Sequence, residues 1–178
     1  MIFPLFRRKP RDADTISTLY GMIVAQARLP TFYRDYAGAD TVNGRFDLIV
    51  LHLAMVLDRL ALAQDTALQT LGQGIFDRFC LDMDHNLREM GVGDLTVPKE
   101  MQRLGEAFYG RSQAYRNAWA AADDAALAQA LARNIYGAAS APAAVRLAAY
   151  VREAVRHLAA QPESDIAGGA LSFPVPAS

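Results

Sequence analysis

Three histidines, one cysteine and a few acid–imidazole pairs are the groups in this chain whose types and spacing could do chemistry. Asp82-x-x-His85 and Glu153-x-x-x-His157 each put a carboxylate and an imidazole on one face of a helix, as metal ligands require. A di-iron bundle site, however, takes two Glu-x-x-His motifs and two further inward carboxylates. This chain offers one imperfect copy, and His52, His85 and His157 fall on three separate predicted helices. Neither a metal nor another cofactor is expected. There is no G-x-S-x-G elbow, no Walker lysine loop and no glycine fingerprint following a strand. Gly91-Val92-Gly93 follows a helix and reads as its stop. Cys80 lies on an apolar helix face and reads as core filler. Acids on separate helices could converge as an acid–base pair, with Asp82, Glu89 and Glu106 as candidates. The spacing recommends no such site, and the expectation is a protein that is not an enzyme.

The stretch FCLDMDHNLREMG at 79–91 suggests contact instead. On a helical period, Phe76, Phe79, Cys80, Met83, Leu87 and Met90 share one face and point to a core. Asp77, Asp84 and Arg88 lie along one edge, and Arg78, Asp82, His85 and Glu89 along the other. Leu81 stands apolar within that polar surface. An apolar residue framed by charges reads as a binding surface.

The elements that carry these residues are helical throughout. Asp12 or Asp14 can cap a first helix that runs to Gln26, with Ile16, Leu19, Tyr20 and Ile23 facing inward. Leu29-Pro30 ends it, and 31–36 reads as a short helical turn before a Gly-Ala-Asp loop. Further helices are predicted at about 42–62, 66–90, 98–119, 124–136 and 142–160, with Pro98 and Pro142 at first-turn positions. Gly72 and Gly74 allow a kink or a close helix approach. The expected fold is all-α, a single-domain bundle of about six to seven helices. Residues 1–11 are expected as a flexible basic and apolar tail, 12–160 as the helical domain, and 161–178, rich in Gly, Pro and Ser, as a flexible tail.

A chain of 178 residues with 52% hydrophobic content can bury a real core, and a net charge of −1 lacks the basic excess of a nucleic-acid binder. A single cysteine excludes an internal disulfide and suits a reducing compartment. No segment reaches the ~20 uninterrupted apolar residues of a membrane span. Ile2, Phe3, Leu5 and Phe6 precede Arg7, Arg8, Lys9 and Arg11, the reverse of a secretory signal. A loose tail is the preferred reading of this start; a salt-sensitive tether to an anionic membrane is the other.

The helix at 42–62 admits two readings. Val42, Phe46, Ile49, Val50, Leu53, Leu57 and Leu60 form a core stripe, and Leu48, Leu51, Met55 and Leu62 form a second one opposite. Asp47 and Asp58 flank the second stripe on one edge; Arg45, His52 and Arg59 flank it on the other. Such a helix is either the centre of a bundle, the preferred reading, or it presents a patch for an apolar client segment. Two polar residues fall within apolar faces: Asn86, and Arg111 beside Leu104, Phe108 and Tyr115. A buried guanidinium needs a partner, for which Asp82 or Glu89 would serve, and the pair would fix helix packing. The alternative is a half-open polar pocket in which a partner or a ligand such as haem or a quinone binds beside Arg111 and Tyr109. Tyr109 and Trp119 are the candidate contact aromatics.

Four segments, TFYRDYAGADTVNGRFDLIVLHLAMVLDRL at 31–60, FCLDMDHNLREMGVGDL at 79–95, GEAFYGRSQAY at 105–115 and DDAALAQALARNIY at 123–136, occur in an order and spacing that resembles the ubiquinol-cytochrome c chaperone family. These are bacterial relatives of the mitochondrial factor that accompanies newly made cytochrome b into the bc1 complex. The resemblance implies an all-helical, non-enzymatic assembly factor with cytochrome b as client. It further implies action near the translating ribosome, in a bacterial cytoplasm or peripherally at the inner membrane. The chain is expected to lack the presequence or N-terminal extension of the mitochondrial members. By resemblance, the family's acidic-to-arginine pattern falls on Asp82, Asp84 and Arg88, followed by Gly91. Its closing segment falls on Ala130, Leu131, Arg133 and Asn134. The expected partner-binding residues are therefore Arg45, Leu48, Leu51, Met55, Leu81, Asp82, Asp84, Arg88, Tyr109, Arg111, Arg133 and Asn134.

Overall fold

The structure is a computed structural model that describes residues 10–121 and 123–177. Among them the chain forms six long helices and two of five residues. They are α1 (Pro10–Ala27), α2 (Pro30–Arg34), α3 (Val42–Ala61), α4 (Thr66–Glu89), α5 (Val97–Ala120), α6 (Asp124–Ile135), α7 (Pro142–Ala160) and α8 (Glu163–Ala167). The all-α bundle is the expected one. Residues 1–9 of the predicted N-terminal tail lie outside the described residues, and Pro10 already belongs to α1.

The helix boundaries follow local chemistry. Thr41 Oγ1 accepts from the Gly44 N–H, Asp65 from Ala67, and Asp123 from both Ala125 and Ala126, so three helices start on a side-chain cap. Pro98 and Pro142 occupy first-turn positions where a missing N–H costs nothing. The end of α4 is a Schellman stop: Val92 N–H donates to Leu87 O and Gly91 N–H to Arg88 O. Gly91 takes φ +83°, which an L side chain would resist.

At the centre lies α3, with every residue from 48 to 56 buried. α1, α4, α5, α6 and α7 all pack against it. The central-helix reading therefore holds, and the patch reading fails. Leu48, Leu51 and Met55 are at most 2% exposed, and only Leu62, beyond the end of α3, stands out at 72%. Sequence periodicity could not separate the cases because both leave the same two apolar stripes. Gly72 serves close approach, since a Cβ there would sit 3.3 Å from Leu60 Cβ of α3. Trp119, read as a contact aromatic, is buried and its indole N–H donates to Asp58.

The second departure is at the C-terminus. Residues expected as a flexible tail form α8 and then a strap folded back on the bundle, with Ile166 and Leu171 buried. Apolar side chains spaced through a Gly/Pro-rich segment bury area without needing a regular helix or strand.

His52 links the layers. It is wholly buried; Nδ1 donates to Leu48 O at 2.8 Å, which leaves Nε2 to accept from Tyr150 Oη at 2.9 Å. Tyr150 Oη accepts in turn from Gln26 Nε2. α1, α3 and α7 are thus joined by one polar chain through the core. Burial pushes the His52 imidazole down from 6.5 to about 4. Between those values the unfolded chain binds the extra proton, so stability falls as pH drops and the loss is complete only below about 4. Each pH unit in that window costs up to about 1.4 kcal/mol from this group. Denaturant melts from pH 7 to pH 4 should therefore show a slope in the native chain that His52→Gln flattens. Equal slopes in both chains would remove His52 from the account.

Candidate client-contact surface

The residues proposed for contact divide into three sets once the bundle is assembled. The first lies where the N-terminal half of α3, the C-terminal half of α4 and the start of α5 diverge. They leave an open groove of about 480 Å³. Its apolar lining comes from Val42, Phe46, Ile49, Met83, Leu87, Met90 and Leu104. Its polar lining comes from Arg28, Arg45, Asn43, Asn86, Glu89 and Glu100. Val42 and Met90, placed by periodicity in the core, are 66% and 56% exposed on its rim. Both sit at helix ends, where neighbouring helices no longer cover the stripe. That end effect is the signal the sequence offered and that reading whole stripes as core overlooked. Of the residues expected to bind partners, Arg45 alone lines this groove, and its guanidinium pairs with Asp40 at 2.7 Å.

The second set follows the outer side of α4. Leu81 is 64% exposed, as expected for a contact residue. Arg88 forms an ion pair with Asp84 at 2.8 Å and another with Asp94, which bridges α4 to the turn after it. The hydrogen bond from Arg88 holds the Asp84 carboxyl below its ordinary range. His85 pairs with Glu89 on the same helix. Asp82 is half-buried and accepts from Tyr20 Oη at 2.8 Å, which docks α1 onto α4. Its role in the structure is thus internal on one side.

The third set is α5 and α6. Tyr109 is exposed and leans on Phe76 and Phe108. It walls a cleft of about 410 Å³ between α3, α4 and α5 that also includes Ser112, whose buried Oγ has no hydrogen-bond partner among the described residues. Arg111 does not line that cleft. It pairs with Asp47 of α3 at 2.5 Å and stands over the Phe46 ring. The internal ion pair was anticipated, but Asp47 replaces Asp82 and Glu89 as the acid. The reason is that α5 crosses α3 at this level. Arg133 is exposed, whereas Asn134 donates to Ala130 O within α6. Neither lines either opening.

The Asp47–Arg111 pair is a packing device. Burial raises the Asp47 carboxyl despite the guanidinium, so desolvation outweighs the attraction there. Among the described residues no three or more His, Cys, Asp or Glu side chains gather as a metal would need, and no helix is long and apolar enough to cross a membrane.

An all-helical bundle with an apolar groove, a charged outer helix and paired internal ions defines a helical binding module. The chain belongs to the ubiquinol-cytochrome C chaperone family, whose model matches residues 34–173. It is also similar to the crystal structure of the Cbp3 homolog from Brucella abortus, with 40% identity and a TM-score of 0.86. That match covers 98% of this chain and 97% of the other. Comparison with curated proteins gives no significant match.

Arg111→Leu leaves the Asp47 carboxylate without its partner and should cost about 2 kcal/mol of stability, less than a fully buried pair because both groups retain some exposure. Adding Asp47→Asn should recover most of it. Urea melts of the single and double variants test this. A double variant no more stable than Arg111→Leu alone would show that the pair is not the cause.

Proposed function

We propose that this chain is an assembly chaperone that holds newly made cytochrome b and promotes formation of the bc1 complex. Membership of the chaperone family supports the class, and the groove between α3, α4 and α5 is the observation that supports a binding mode. A membrane-protein client exposes apolar helix faces before assembly. The groove offers Phe46, Ile49 and Leu104 as a firm floor, with Met83 and Met90 as adaptable contacts. Arg28 and Arg45 together with Glu89 and Glu100 give its rim both signs of charge, which orients a client more than it adds affinity. A groove of this size engages a few client side chains, and such a small contact can be reversed when the client moves on.

In this reading the chain acts by binding alone, in the cytoplasm and at the inner face of the membrane. Residues 1–11, apolar then basic, have the composition a salt-sensitive tether there would need, and ribosome proximity follows from meeting the client during synthesis. Leu81, Asp84 and Arg88 are the second contact, on the outer side of α4. The Asp84–Arg88 salt bridge is a surface pair that water and salt screen, so changing it spares the fold.

The test is an affinity pull-down of tagged chain from respiring membranes in mild detergent, with recovered proteins identified by mass spectrometry. Cytochrome b should be enriched, and deletion of the gene should lower cytochrome b and bc1 levels. Val42→Asp with Met90→Asp should cut recovery about tenfold, the effect of ~1.4 kcal/mol, with helicity unchanged. Charge reversal at Asp84 and Arg88 should weaken capture to a smaller extent. Normal bc1 accumulation in the deletion strain would overturn the assignment.

A further inference from the structure

The C-terminal segment is bound the way a protein binds a peptide. After Gly168-Gly169, where Gly169 takes φ +89°, the chain turns back and runs from 170 to 177 without regular secondary structure. Gln161 holds the main chain of Ser172 at both ends: its Nε2 donates to Ser172 O and its Oε1 accepts from Ser172 N–H, each at 2.9 Å. Gln26 Nε2 donates to Pro174 O at 3.3 Å, and Arg146 Nη2 donates to Ala177 O at 2.8 Å. Gln161 and Arg146 stand at opposite ends of α7, about 22 Å apart at 1.5 Å per residue. The strap residues they grip span about 17 Å only when fully extended. The strap therefore lies extended and antiparallel to α7, and Pro174 and Pro176 favour that backbone.

These main-chain grips come from side chains of the helices and read no strap side chain. Selectivity comes from the strap side chains beside these grips: Leu171 and Pro176 are buried, and the Phe173 ring meets His52 edge-on at 5.4 Å between centroids. Main-chain hydrogen bonds for affinity and pockets for selected side chains are the two parts of extended-peptide recognition. We infer that the channel along α7 and α1, floored by His52, is a binding groove for an extended apolar peptide carrying an aromatic residue followed by proline, and that the chain's own strap closes it in cis. Three of the four main-chain bonds are solvent-exposed, so water competes for them. Gly168-Gly169 provides the hinge about which the strap lifts. A tethered occupant acts at millimolar effective concentration, so the intact chain binds a second peptide only in the fraction of time the strap is off.

That the natural peptide is a stretch of the client rests on the proposed function; the groove itself does not. The probe is a fluorescein-labelled synthetic peptide of residues 169–177, titrated into the full chain. Phe173→Ala weakens the occupant and leaves the groove intact, so its affinity for the peptide should exceed that of the unchanged chain by about tenfold or more. Adding Gln26→Ala and Gln161→Ala should abolish that binding. Should Phe173→Ala fold poorly, hydrogen exchange on the unchanged chain provides the reading: saturating peptide should speed exchange of the Ser172 amide. Equal affinities in the two chains, or exchange unmoved by peptide, would overturn the inference. Dimerisation of the unchanged chain without peptide would assign the groove to a second copy's strap and overturn closure in cis. Because the probe carries the chain's own sequence, these outcomes do not depend on whether cytochrome b is the client.

Discussion

A helix that is apolar on two opposite faces has to be covered on both, and in this bundle that requirement falls on α3. Nine consecutive residues of it, 48 to 56, are buried, which no single flat layer of helices could achieve. Five helices pack around it, and their directions follow from how they reach it. The cost of such a centre is polar: α3 also carries the wholly buried His52 and the half-buried Asp47 and Asp58, and each needs a partner. Each is answered by a different neighbour: His52 by Tyr150 of α7, Asp47 by Arg111 of α5, and Asp58 by Arg116 and Trp119 of α5. The apolar stripes drive association, and these pairings fix which helix sits at which height.

The same geometry explains where the surface stays open. Coverage of α3 is complete in its middle and fails at its N-terminal turn, where Val42 and Phe46 meet the diverging ends of α4 and α5. An apolar residue left uncovered there destabilises nothing that a neighbour could have gained, and it leaves a contact surface at the rim of a rigid scaffold. The turn after α4 is held beside that opening by the Gly91 stop, and the exposed Arg88 bonds to Asp84 and Asp94 add little to it. A groove whose edges are pinned keeps its shape without a client, which lowers the ordering cost of binding.

What the sequence made legible were features set by neighbours in the chain: the helix spans, the Gly91 stop, the need of Arg111 for an acid. Features set by which helices meet were not. Asp47 and Asp82 look alike in sequence, yet only Asp47 faces Arg111, because that depends on the crossing of α3 and α5. Leu48, Leu51 and Met55 carry the same pattern whether solvent or another helix lies over them. His52 was placed on a charged edge; only the assembled bundle shows a buried imidazole with both nitrogens bonded. The resemblance of four segments reached the family directly, since their order records the fold without needing its contacts.

The C-terminal strap shows why composition misleads at a chain end. Gly, Pro and Ser lower the tendency to form helix, and from that a loose tail was expected. Disorder, though, requires that a segment also lack apolar residues able to find a surface, and Ile166, Leu171 and Phe173 supply them. Proline contributes in the opposite sense from the one assumed, because a segment already extended loses less entropy when it docks. The docking also completes the polar chain begun at α3, since Gln26 bonds both Tyr150 and the strap at Pro174. The centre of the bundle and its last residues are therefore one connected system, in which Gln26 and Tyr150 link the strap to His52.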